Sequence, residues 1–226
     1  SVSRKAIWKG VYKKAFEIIL KIDPTKFNKK EDRFLKFING ELLYLTGEYK
    51  KAFKILNSFS FNNELEIKRV QILAIIYHFL NNDNKFKKYM EKALILSQKK
   101  GDLYSETKIL NDLVVGWYEP KGEIVESEIM LKKALSITNK NNLFLNPVIT
   151  GNLAYIKEIL GEYKEAEKIG SNALKIARKI GDKSKIIFIL RILGSIYIKL
   201  NEFDKAKRVL EEALILTEDC PDPSRK

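Results

Sequence analysis

Gly161-Glu162-Tyr163-Lys164-Glu165-Ala166 decides the fold, because its pattern, Gly-x-aromatic-x-x-Ala, returns along the chain. It recurs as Gly10-Val11-Tyr12-Lys13-Lys14-Ala15 and Gly47-Glu48-Tyr49-Lys50-Lys51-Ala52. Relaxed copies run from Gly122 to Ser127 and from Asn201 to Ala206, and a degenerate one from Asn81 to Phe86. Gly or Asn just past a helix adopts the left-handed conformation that ends it. The aromatic two residues on starts the next helix and packs back across the turn, and the small residue lets two backbones approach. A second small residue follows seven positions later at Ala93, Ala134, Ala173 and Ala213, on the same helical face.

Upstream of each turn lies another amphipathic segment with its own close-packing position, at Gly40, Ala74, Val115, Ala154 and Gly194. Tyrosines stand three residues after three of these, at Tyr77, Tyr118 and Tyr197. The small sites of the turns, 15, 52, 86, 127, 166 and 206, recur at intervals of 34 to 41 residues. Such a period signals stacked helix pairs. The expected map is a lone helix at 11–22, followed by the pairs 29–46 with 48–59, 62–80 with 83–99, 102–119 with 122–139, 145–160 with 162–180, and 182–200 with 202–218.

The copy Leu190, Leu193-Gly194, Tyr197, Ala206, Leu210 and Ala213 resembles the tetratricopeptide repeat, and the resemblance extends over roughly residues 6–218. Repeats of ~40 residues with the turn Lys179-Ile180-Gly181-Asp182-Lys183-Ser184 are similar to the longer variant, found in Leu-Gly-Asn adaptors, maltose-regulator-type ATPases and peptide-sensing regulators. The resemblance implies an all-α, right-handed solenoid of about five and a half helix–turn–helix repeats. Its expected divisions are a half repeat at 1–27, repeats at 28–61, 62–101, 102–141, 142–181 and 182–218, and a polar tail at 219–226. Beginning in mid-repeat points to a piece of a longer protein.

Composition suits long helices joined by short turns. Of 226 residues 45% are hydrophobic, with 11 Gly and 5 Pro, and no apolar run reaches the ~18 residues a spanning helix needs. Ser1-Val2-Ser3-Arg4-Lys5 leads into no signal-peptide core, and the single Cys220 cannot form an internal disulfide. A cytoplasmic location is the expectation. The net charge of +13 is uneven: residues 1–100 carry 22 Lys/Arg against 10 Asp/Glu, whereas the remainder is nearly balanced. That asymmetry suits an acidic partner for the first half.

Nothing in the chain reads as catalytic machinery. The glycines are isolated helix stops and form no phosphate-binding loop, and neither a Gly-x-Ser-x-Gly elbow nor a His-Glu-x-x-His metal motif is present. His78 is the one histidine, and no His/Cys set has metal-ligand spacing. The reading is of a non-catalytic module without cofactor or metal.

In the family the first helices of successive pairs line a concave channel for extended peptides. Carried across, that channel comprises Phe34, Phe37, Glu41 and Tyr44; Lys68, Gln71, Ile75 and His78; Ile109, Asp112 and Gly116 with Glu119 at the rim; Val148, Tyr155 and Glu158; and Phe188, Arg191 and Ser195. Aromatics beside isolated charges suit peptide holding, and the same aromatics also suit packing between helices. Phe37 and Glu41 stand where chaperone-binding members carry clamp residues for a terminal carboxylate, which argues against that ligand. Trp117-Tyr118-Glu119-Pro120 marks a helix that cannot continue normally past Pro120.

Lys13, Lys14, Lys50, Lys51, Lys54, Lys85 and Lys88 follow the first three turns and would align as a basic ridge on the convex side. Nucleic acid is the alternative partner there, although Lys outnumbers Arg 35 to 7 and aromatics do not interleave for base stacking. The expected function is protein–protein interaction, as an adaptor or as the sensor segment of a regulator. Small-ligand sensing is a further alternative, and exposed solenoid ends allow homo-oligomerisation.

Overall fold

The structure, a computed structural model, describes residues 28–141 and 146–218, together with the helical, exposed Lys14. The expected helix at 11–22, the copy at 10–15, the half repeat, Lys13 and the tail with Cys220 lie outside the described residues. The chain divides at Ser105/Glu106 into two compact units.

In the first unit, α1 (Lys29–Leu45) packs on α2 (Tyr49–Leu56), and α3 (Leu65–Phe79) packs on α4 (Asp83–Lys100). Asn28 opens α1 with a reciprocal cap: its side chain accepts from the Lys30 and Glu31 amides, while Glu31 accepts from the Asn28 amide. A helix α5 (Leu103–Leu113) follows and straddles the division. The second unit continues with a π turn (Val114–Tyr118), α6 (Ile124–Asn141), α7 (Asn146–Ile159), α8 (Tyr163–Ile180), α9 (Lys183–Lys199) and α10 (Phe203–Glu218). All the regular structure described is helical, in helix–turn–helix pairs.

Each turn inside a pair is built the same way. Gly47, Asn81, Gly122, Gly161 and Asn201 hold φ between 56° and 85°. The next residue's amide then reaches back five residues: Glu48 to Leu43, Asn82 to Tyr77, Glu123 to Tyr118, Glu162 to Lys157 and Glu202 to Tyr197. These bonds satisfy carbonyls the helix end would leave open. Four residues after each of these amides stands the small site of the repeat, buried as Ala52, Ser127, Ala166 and Ala206, with Phe86 in the degenerate copy. Across the pair a Cβ on Gly194 would come within 2.5 Å of Leu210, and one on Gly40 within 2.5 Å of Leu56, so these helices touch through bare backbone.

Three boundaries differ from the expected map. First, α2 stops at Leu56, because the segment after it turns back. Arg69 donates to the Leu56 carbonyl at 2.5 Å and holds Glu66 with two further bonds, and Glu66 accepts from the Phe61 amide. Burial opposes ionisation of Glu66, yet Arg69 and that amide keep its carboxyl below the ordinary carboxylate range. Second, α3 begins at Leu65, whose amide donates to the Asn63 side chain.

The third difference is the π turn. The Glu119 amide bonds Val114 five residues back, at 3.0 Å. Pro120 has no amide to offer and its ring would clash with the carbonyl four residues back in an α-helix, so a wider turn accommodates it. Val114 takes the buried position expected of Val115, and Val115 is 52% exposed. The tyrosine that follows the close-packing residue at three positions elsewhere (Ala74 to Tyr77, Gly194 to Tyr197) therefore follows Val114 at four.

Lys157 stands where three of the other four pairs place tyrosine. It is 5% exposed, and its ammonium meets Glu128 of α6 at 2.8 Å, Glu162 at 2.7 Å and Glu165 at 3.4 Å. Hydrogen bonds to Glu128 and Glu162 push its pKa up against the opposing effect of burial, and hydrogen bonds from Lys132 and Lys157 lower that of Glu128. Further ion pairs join α8 to α10: Arg178 grips Glu212 with both contacts at 2.7 Å, and Lys164 meets Glu202 at 3.0 Å.

Two stability predictions follow from this geometry. Asn201→Ala should lower the unfolding free energy by about 1 kcal/mol in urea titration while Asn201→Gly should not, because Ala resists the left-handed region that Asn and Gly tolerate. Lys157→Met should cost roughly 2 kcal/mol, less than a fully enclosed pair because its partners are partly solvated. The raised lysine contributes below its unfolded pKa and is lost as pH rises past it. The lowered Glu128 contributes above its unfolded pKa and is lost as pH falls through its folded one. Wild type should thus lose stability on both limbs and the variant less steeply; equal acid limbs in denaturation profiles would count against the network.

Candidate functional site

The side chains that converge in the second unit come from the π turn and from the inner faces of α7 and α9. They surround a cavity of about 360 Å³ lined by Val114, Val115, Glu119, Asn152, Tyr155, Ile156, Glu158, Phe188, Arg191, Ile192 and Ser195. Its floor rests on buried Ala154, Ala166, Ile192 and Ile196, with Phe188 packed against them. Gly151 makes room for the Phe188 ring: a Cβ there would stand 3.0 Å from the ring's Cε1. The wider helical turn swings Val115 and Glu119 onto the cavity wall.

Polar groups are few and are held in place. The Tyr155 hydroxyl donates to Glu119 Oε1 at 3.2 Å, across 36 residues of sequence. Burial, and after it the Glu119 charge, raises the Tyr155 pKa, which keeps the phenol a donor at neutral pH. Ser195 Oγ donates to Glu158 Oε1. Glu158 Oε2 is buried and has no hydrogen-bond partner among the described residues. Asn152 donates to Asn111 at 2.7 Å, tying α7 to α5. Arg191 is exposed.

Of the residues expected to line a channel, Tyr155, Phe188 and Arg191, with Glu119, Glu158 and Ser195, stand around this cavity. Val148 is half-buried on α7 and is not among its lining residues. Asp112 is half-buried beside Lys108 at 3.3 Å, and burial pushes its carboxyl up while Lys108 opposes the shift. Gly116 is half-buried within the π turn, and Ile109 is fully buried. The cavity residues that sequence reasoning missed are Val114, Val115, Asn152, Ile156 and Ile192. The register skip at the π turn hid the first two, and Pro120 with the 41-residue interval between sites 86 and 127 was the signal for it.

The first unit corrects the expectation at Phe37. It is 1% exposed, edge-on to Phe61 at 5.7 Å, because the chain after α2 folds back and brings Phe61 over it. Lys68 lies 5.8 Å above the Phe37 ring and bridges Glu41 at 2.7 Å. Gln71 is buried, so it too belongs to the packed interior. Phe34 is exposed, Ile75 half-buried, and Tyr44 packs beside Tyr49 at 6.2 Å. His78 is exposed, 3.5 Å from Asp83 and in ring contact with Phe86.

On the second helices Lys14, Lys50, Lys51, Lys54, Lys85 and Lys88 are all exposed. Lys51 pairs with Glu48 at 2.6 Å, and Lys85 lies 5.1 Å over the Tyr77 ring. Lys121 similarly caps Trp117 at 5.3 Å.

Family models described as tetratricopeptide repeat match residues 70–100 and 147–218, the second span containing α7 to α10. Both spans are tetratricopeptide repeats. No curated protein matches it by sequence. Among solved structures this tetratricopeptide-repeat chain is similar to BtubC (BKLC) from P. vanneervenii, at 16% identity and TM-score 0.70, over 96% of this chain and 94% of that one. It is also similar to a signal-transduction ATPase with numerous domains and a tetratricopeptide-repeat sensor from Pyrococcus horikoshii. That match has 21% identity and TM-score 0.71, over 84% of this chain and 30% of that one. A Rap protein complexed with competence and sporulation factor matches at 17% identity and TM-score 0.73, over 91% of this chain and 60% of that one. These likenesses establish the fold. Among the described residues no helix is long and apolar enough to cross a membrane, and no group of three His, Cys, Asp or Glu could hold a metal ion.

Gly151→Val should force the Phe188 ring into the cavity. The expected result is thermal unfolding lowered by a few degrees, as for overpacking of about 1 kcal/mol. Unchanged thermal unfolding would show that the ring has another way out.

Proposed function

We propose that the chain is a protein-binding module that holds a partner peptide against the inner faces of α7 and α9. The observation that carries this reading is the cavity itself. It is apolar in most of its lining, about 360 Å³ in volume, and carries a few oriented polar groups, the combination that favours specific recognition. The similar Rap protein is complexed with competence and sporulation factor, and the similar Pyrococcus horikoshii ATPase carries a tetratricopeptide-repeat sensor. Both fit a module that reports occupancy to the rest of a larger protein. The module is read as non-catalytic and cytoplasmic, with an acidic partner for its basic first half.

A small-ligand sensor is the second reading, favoured by the size of the cavity. The lysine side chains of the first unit would serve a nucleic acid by charge alone, and salt would weaken that contact steeply.

The test is capture from lysate with nuclease, comparing wild type with Tyr155→Ala/Phe188→Ala and with Lys50→Glu/Lys51→Glu/Lys54→Glu. A protein retained through nuclease, lost by the cavity variant and kept by the lysine variant is expected. Capture that fails only for the lysine variant, or disappears with nuclease, overturns the reading.

A further inference from the structure

We propose that the cavity between the π turn, α7 and α9 is a subsite for the ammonium group of a lysine side chain flanked by apolar residues in a partner peptide. The inference rests on the peptide-holding reading above and names the chemistry of its guest.

The cavity holds two carboxylates against one guanidinium. Glu119 and Glu158 are each oriented by a donor of the protein, Tyr155 and Ser195, which fixes one oxygen of each carboxylate. Glu158 Oε2 is left buried and without a hydrogen-bond partner among the described residues. A buried carboxylate oxygen without a donor is unfavourable by the desolvation of that atom, and an incoming donor recovers it. An ammonium supplies both the donor and the opposite charge. Arg191, by contrast, is exposed and keeps its hydration, so it exerts no comparable demand for an anion.

The walls select the arm that carries the charge. Val115, Ile156, Ile192 and Phe188 offer apolar surface that matches a run of methylenes, and lysine buries such a stem while its head seeks a polar partner. The length of the Tyr155–Glu119 contact, 3.2 Å, leaves Glu119 able to share the same cation. A glutamate or aspartate guest would instead meet two like charges.

The experiment is isothermal titration of the full chain with three synthetic peptides, acetyl-Ala-Leu-Lys-Leu-Ala-amide and its analogues with norleucine or glutamate at the centre. Free hexylamine serves as the small-molecule arm. The lysine peptide should bind about tenfold tighter than the norleucine peptide, a difference of ~1.4 kcal/mol. That advantage should shrink in Glu158→Gln and with added salt. Glu119→Gln, which leaves the Ser195 bond intact, should shrink it too and serves if Glu158→Gln proves unstable. Equal binding of lysine and norleucine peptides, or preference for glutamate, overturns the ammonium assignment while leaving peptide holding standing. Hexylamine binding as tightly as the lysine peptide overturns the peptide source in favour of a free amine. Absence of binding by every probe, with capture still dependent on Tyr155 and Phe188, rejects this guest alone; loss of that dependence as well rejects the peptide-holding reading.

Discussion

The structure depends on one repeated constraint: a residue that holds positive φ at the end of a first helix, followed by an amide that bonds five residues back. Gly47, Asn81, Gly122, Gly161 and Asn201 each meet it. The turn sets where the second helix starts, and so which of its residues faces the first. Small or absent side chains at that face let the backbones close, as at Gly40 against Leu56 and Gly194 against Leu210. Stacking then buries one face of each pair against the next, which is why such a chain needs several repeats to own a core.

Once the pairs are fixed, charged residues do different work at different depths. Lys157, buried among Glu128, Glu162 and Glu165, replaces an aromatic ring with a cluster of ion pairs and joins three helices. Arg69 and Glu66 pin the connection after α2, which in turn places Phe61 over Phe37. The pairs between α8 and α10 lie nearer solvent and are correspondingly weak individually. Exposed lysines contribute field rather than structure.

The cavity arises where the regular pattern is broken. A strict α-helical continuation at 114–118 would keep Val115 in the interior and carry Glu119 to a different azimuth. The wider turn inserts a residue, exposes Val115 and brings Glu119 within hydrogen-bond reach of Tyr155. Gly151 then leaves a space that the Phe188 ring occupies from the next pair. Three successive pairs thus contribute to one site without any sequence stretch that contains it.

The sequence by itself determined the helix pairs, their turns and their close-packing faces, because these rest on interactions between residues within about two turns of one another. Through its resemblance to the family it also pointed to Tyr155, Phe188 and Arg191. It misassigned Phe37, whose burial depends on a non-local contact with Phe61, and Val115, whose exposure depends on a change of helical period that an assumed constant period conceals. Pairing Tyr155 with Glu119, Ser195 with Glu158 and Lys157 with its three carboxylates was decided only by tertiary structure. The first two of these contacts join residues 36 and 37 positions apart, and their geometry follows from how helices stack rather than from the local order of residues.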